Sequence, residues 1–114
     1  MFYVCPVTKD VGVHTWNTKN LKYTSHMFYA CHNLFELDLS GWVTTNLTTT
    51  EGMFCGCKNL KTIYANDWSD APISNGATMF KDCHVLRGAV SYRSSQIGPA
   101  MANTTTGYFT AKNN

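Results

Sequence analysis

A chain of 114 residues has room for one domain and not for two. Its formal net charge of +2, with 14% charged residues, excludes the concentrated Lys/Arg footprint that a nucleic-acid partner requires. No run approaches the roughly 18 consecutive apolar residues of a membrane span, and no basic segment precedes the apolar residues after Met1, so no signal peptide is visible.

The dominant feature is an internal period. Written in rows of 26, the chain places Met1, Met27, Met53 and Met79 in one column and Phe2, Phe28, Phe54 and Phe80 in the next. Cys5, Cys31, Cys57 and Cys83 form a third, and Trp16, Trp42 and Trp68 a fourth. Leu34, Leu60 and Leu86 share a column, as do Val11, Leu37, Ile63 and Ala89. Three rare residue types in register at one spacing mark a repeat whose units cannot bury their apolar faces alone and must pack on one another.

In chain order, the rows run at about 1–26, 27–52, 53–78 and 79–89. The first is degenerate at Pro6 and Thr8, and Met1 enters in mid-unit, as expected of a C-terminal piece of a longer array. An open first strand would make the N-terminal edge a site of self-association. In the second row, Leu34 to Leu39 alternates apolar and polar residues, the period of a half-buried strand. A loop carrying Trp42 follows. Thr48 and Glu51 have the spacing of a capping box ahead of Met53, Phe54 and Cys57, which predicts a short helix over 48–57, ended by Gly56 and Lys58-Asn59. Leu60 to Ala65 repeats the strand pattern. After Leu86 the spacing dissolves, and the turn signals at Ser94-Ser95 and Gly98-Pro99 predict a β cap over 90–110, with 111–114 as a tail. The expected fold is an α/β solenoid: a right-handed stack of rows, one short strand and one short helix in each, about 4.8 Å apart, with a parallel sheet on one side.

The run Met27-Phe28-x-x-Cys31-x-x-Leu34-x-x-Leu37-Asp38-Leu39-Ser40-x-Trp42, then Thr45-Asn46-Leu47-Thr48 and Met53-Phe54-x-x-Cys57, resembles the BspA-like leucine-rich-repeat surface proteins of bacteria. The tail from Met79-Phe80 to Gly107-Tyr108-Phe109-Thr110 resembles that family's C-terminal cap, so nearly the whole chain is covered. The resemblance implies a leucine-rich-repeat-like solenoid, an extracellular or cell-surface location, and a role in adhesion to a host or extracellular-matrix protein. Trp in the loop column departs from the family's more usual Phe.

Candidate chemistry is sparse. Successive rows would bring Cys5, Cys31, Cys57 and Cys83 within disulfide range. The column therefore reads either as a cross-linked ladder or, as we expect, as buried free thiols packing as small hydrophobes. Cys55 falls on another face and is expected to be exposed. His32 and His84 each follow a column cysteine but lie two rows apart, too far for a tetrahedral metal site. His14 and His26 read as solvated loop residues. No phosphate loop, nucleophile elbow or paired carboxylates occur, so no catalytic residue, metal or cofactor is expected and the chain reads as a non-enzyme. The Trp column could stack on sugars, but its period matches the core columns and predicts packing. What varies between rows is the outward strand face: Asp10, Glu36, Thr62 and Gly88; Gly12, Asp38, Tyr64 and Val90; His14, Ser40, Asn66 and Tyr92. Glu36, Asp38, Tyr64 and Tyr92 are the candidate partner-binding residues, since tyrosine is favoured at interfaces. The two function classes are a protein-binding or adhesion module and a purely structural spacer or cap without a ligand.

Overall fold

Alternating apolar residues leave strands with one face to bury, and three such strands meet side by side. In the computed structural model, which describes residues 17–66, 68 and 71–111, β1 spans Glu36–Asp38, β2 Thr62–Tyr64 and β3 Phe109–Thr110. They form one parallel sheet in the order β1-β2-β3. Leu37 pairs with Ile63 and Ile63 with Phe109, and all three side chains are buried. A second line of parallel contacts joins Tyr23 to Thr49 and Thr49 to Asn75 on another side of the rows. Expectations for the first row through Trp16, including its open edge, lie outside the described residues.

The strand-plus-helix solenoid is not what the chain forms. Among the described residues there is no α-helix. Regular structure is confined to the three short strands and a 3-10 turn at Pro99–Met101. The molecule measures 30 × 30 × 27 Å, with a radius of gyration of 12.3 Å, so it is nearly as wide as it is long and has no extended stacking axis.

The predicted helix over 48–57 fails for a reason visible in its backbone. An α-helix needs each amide to donate four residues back within the segment. Here the amides alternate. Met53, Cys55 and Cys57 donate to the carbonyls of Thr50, Gly52 and Phe54, three residues back, while Phe54 and Gly56 donate to Met79 and Lys81 in the next row. The same alternation occurs one row earlier, where Phe28 and Ala30 donate to Met53 and Cys55. Two residues per turn also adopt the left-handed conformation: His26 and Ala30 at φ 59° and 56°, Gly52 and Gly56 at 63° and 79°, with Asp82 at 63° in the third turn. A right-handed helix cannot pass through such residues. The apparent capping box serves the neighbouring rows instead. Thr48 donates to the Lys22 carbonyl through both its amide and its hydroxyl, and the Glu51 carboxylate accepts from the amide and hydroxyl of Thr78.

Columns of like side chains make the core. Phe28, Phe54 and Phe80 stack face to face with centroids 5.7 and 5.5 Å apart, and Trp42 stacks on Trp68 at 6.3 Å. Both stacks end on the C-terminal segment. Phe109 meets Trp68 and Phe80 edge to face at 5.0 and 6.0 Å, and Tyr108 meets Phe80 at 5.2 Å. Perpendicular rings satisfy the last aromatic face while denying a further parallel layer. The segment crosses at Gly88, where a Cβ would run into the backbone of Tyr108 and Phe109. The tyrosine hydroxyls of the cap close it: Tyr92 Oη accepts from Asp82 N–H, an amide whose counterparts in earlier rows donate to the next row, and Tyr108 Oη accepts from Arg93 N–H within the cap.

Candidate functional site

The sheet's outward face is built by the same alternation that buries Leu37 and Ile63. Asp38 and Tyr64 are directly paired across β1 and β2, and Glu36 is paired with Thr62. Glu36 is exposed, while Asp38, Thr62 and Tyr64 are half-buried. The ladder continues past the strand ends, with Leu39 N–H donating to the Tyr64 carbonyl at 2.6 Å and Ala65 N–H to the Thr110 carbonyl at 3.1 Å. The following turns are tied to each other: Ser40 N–H donates to Asp38 Oδ1 at 2.9 Å, and Asn66 Nδ2 donates to the Ser40 carbonyl at 2.8 Å. Asp38 is thereby held in one orientation beside Tyr64.

Three of the four candidate residues, Glu36, Asp38 and Tyr64, share this face, but Tyr92 does not join them. The 26-residue count places Gly88 and Val90 in line with Thr62 and Tyr64, and Tyr92 in line with Asn66, whereas β3 comes from Phe109–Thr110, and Thr110 is the residue paired with Tyr64. Gly88 and Val90 therefore do not extend the face. Tyr92 belongs to the cap, with its ring against His84 and Tyr108, each 5.7 Å away. Burial raises its hydroxyl pKa above the ordinary range. Thr110 lies outside the period, so the count placed it within the expected β cap over 90–110 but not beside Tyr64.

The remaining candidates resolve by burial and partner. Trp42 and Trp68 are 5% and 3% exposed, so neither presents a face for a sugar to stack on. Cys31 is disulfide-bonded, whereas Cys55, Cys57 and Cys83 are free. The thiols of Cys57 and Cys83 donate to the carbonyls of Phe28 and Phe54 at 3.0 and 2.9 Å. Burial is the main reason the Cys57 pKa is pushed up to about 12, and it raises that of Cys83 as well. Cys55 is half-buried, and desolvation raises its pKa too, helped by the nearby Asp82 carboxylate. His32 and His84 are both exposed, and His84 faces Asp82 at 3.7 Å. Among the described residues, no three His, Cys, Asp or Glu side chains converge as a metal site, and no helix is long and apolar enough to cross a membrane. The ninth column of the repeat was passed over by sequence reasoning, yet it carries Phe35, Lys61 and Arg87 exposed in line.

A family-wide sequence model described as "Mycoplasma protein of unknown function, DUF285" matches residues 1–109. No curated protein and no solved structure matches the chain.

Proposed function

The chain belongs to the DUF285 family, and for this member we propose a non-enzymatic protein-binding or adhesion module of a bacterial cell-surface or secreted protein, contacting its partner through the sheet face. The observation that carries this reading is the direct pairing of Asp38 with Tyr64 beside Glu36. A carboxylate and an amphipathic aromatic ring sit side by side on a sheet whose opposite face is locked in the core. Tyrosine supplies contact area at low entropic cost, and a rigid support lowers the ordering cost of binding. The resemblance to BspA-like surface proteins supports the location and the class of partner, a host or extracellular-matrix protein. The chemistry of the thiols speaks against a cysteine nucleophile. Among the described residues, Cys31 is disulfide-bonded and the three free cysteines have raised pKa values, whereas a nucleophilic cysteine needs a lowered one.

The test is recovery of extracellular-matrix proteins by the immobilised chain and by its Asp38→Ala/Tyr64→Ala variant. The double variant should lose most of the recovered partner while retaining the wild-type unfolding midpoint. Equal recovery by both proteins would remove the sheet face and favour a structural spacer or cap without a ligand.

A further inference from the structure

A second surface borders the sheet face, at the residues that lead into β1 and β2, and has the opposite charge. Phe35, Lys61 and Arg87 occupy one column. The amide of Lys61 donates to the Phe35 carbonyl at 2.9 Å and that of Arg87 to the Lys61 carbonyl at 3.0 Å. The backbone ladder therefore sets the three residues side by side, with about 4.8 Å between their backbones. Lys58 projects from the turn leading into Lys61, a turn closed by Leu60 N–H on the Cys57 carbonyl. All three cations are exposed, and among the described residues none lies within 4 Å of a carboxylate. Their combined charge exceeds the chain's formal net charge of +2, so the rest of the molecule is net acidic. Arg87 is also held in place, its Nη1 donating to Ser91 Oγ at 3.2 Å. Two large apolar residues accompany the cations: Phe35 is 53% exposed, and Val85, two residues before Arg87, is 45% exposed.

We infer that this corner binds an acidic peptide segment of a partner protein, its carboxylates on Lys58, Lys61 and Arg87 and its apolar side chains on Phe35 and Val85. The charge complementarity selects an anion. Three cations fall short of the roughly six to ten phosphate contacts typical of a nucleic-acid interface. An aliphatic side chain at the edge suits peptide side chains better than sulfated sugars. This surface is distinct from the sheet face and does not depend on it.

The probe is a fluorescein-labelled peptide alternating glutamate with leucine and phenylalanine, titrated with the intact chain at low and physiological salt. Binding should weaken as salt rises. Lys61→Gln/Arg87→Gln should weaken it by about five- to tenfold at low salt, and Phe35→Ser should weaken it at both salt concentrations. The Asp38→Ala/Tyr64→Ala variant should bind the peptide as wild type does, which separates failure of this proposal from failure of the sheet-face reading. Circular dichroism verifies that each variant is folded. Absence of peptide binding, equal affinity of the Lys61/Arg87 variant, or tighter binding of a sulfated polysaccharide or single-stranded oligonucleotide would each overturn the proposal.

Discussion

Replacing Gly56 by alanine tests the left-handed turn found in the structure against a right-handed helical conformation at the same residue, because the two predict opposite signs. In a helix interior, Gly→Ala stabilises by about 1 kcal/mol. Gly56 instead has φ +79°, a conformation that costs an L-residue roughly 1–2 kcal/mol. Alanine recovers about 0.4–1 kcal/mol by restricting the unfolded chain, leaving a net loss of up to about 1.5 kcal/mol. Steric conflict adds little. A Cβ on Gly56 would lie 3.5 Å from Ala30 Cα and 3.7 Å from its Cβ, ordinary contact distances. The reciprocal change, Ala30→Gly, relieves the same strain at φ 56° and should be neutral or stabilising by up to about 1.5 kcal/mol, against a loss of about 1 kcal/mol if the segment were helical. Urea unfolding followed by tryptophan fluorescence measures both. A stabilised Gly56→Ala protein together with a destabilised Ala30→Gly protein would refute the left-handed assignment at both residues.

Phe109→Ala should destabilise by about 3–5 kcal/mol, since Phe109 closes both aromatic stacks and is 0% exposed; Phe35→Ala, at an exposed site, should stay within about 0.5 kcal/mol in the same urea titration. Glu51 has its pKa lowered from 4.5, first by the Thr78 hydroxyl and then by the Thr78 amide. Its contribution to stability is therefore complete above the ordinary glutamate range and lost as pH falls through the lower folded value. Stability profiles between pH 6 and about 3 should be steeper for wild type than for Glu51→Gln, and superimposable profiles would remove the Thr78 contact as their cause. A thiol-specific chromogenic reagent applied to the native protein at about pH 8 should modify Cys55 well before Cys57 and Cys83, because the latter two are fully buried. Retention of the rapid reaction in Cys55→Ser would contradict that order.

Much of the packing was legible because a repeated side chain at a fixed interval has one economical arrangement, next to its own copy. The Phe and Trp columns announced their stacks, and the apolar alternation around Leu37 and Ile63 announced which strand faces turn inward. The pairing of Asp38 with Tyr64 followed from the same count. The turn conformation was not legible. Thr48, Glu51, Met53, Phe54 and Cys57 fit helical spacing, but spacing records which side chains are apolar and not where the amides donate. The left-handed conformation of Ala30 and Asp82 carries no glycine to signal it. The period also misled at its end, where it offered Val90 for a strand position that Thr110 occupies.

By itself, then, the sequence determined the unit length, the identity of the buried columns and the register between neighbouring rows, because burial of like residues is a local, periodic constraint. Tertiary structure alone decided that every second amide in the turns is drawn to the next row, which abolishes the helix. It also decided that a segment remote in the chain crosses over Gly88 to complete the sheet. Both outcomes depend on hydrogen-bond partners supplied from elsewhere in the fold, and no local pattern encodes a partner that distant.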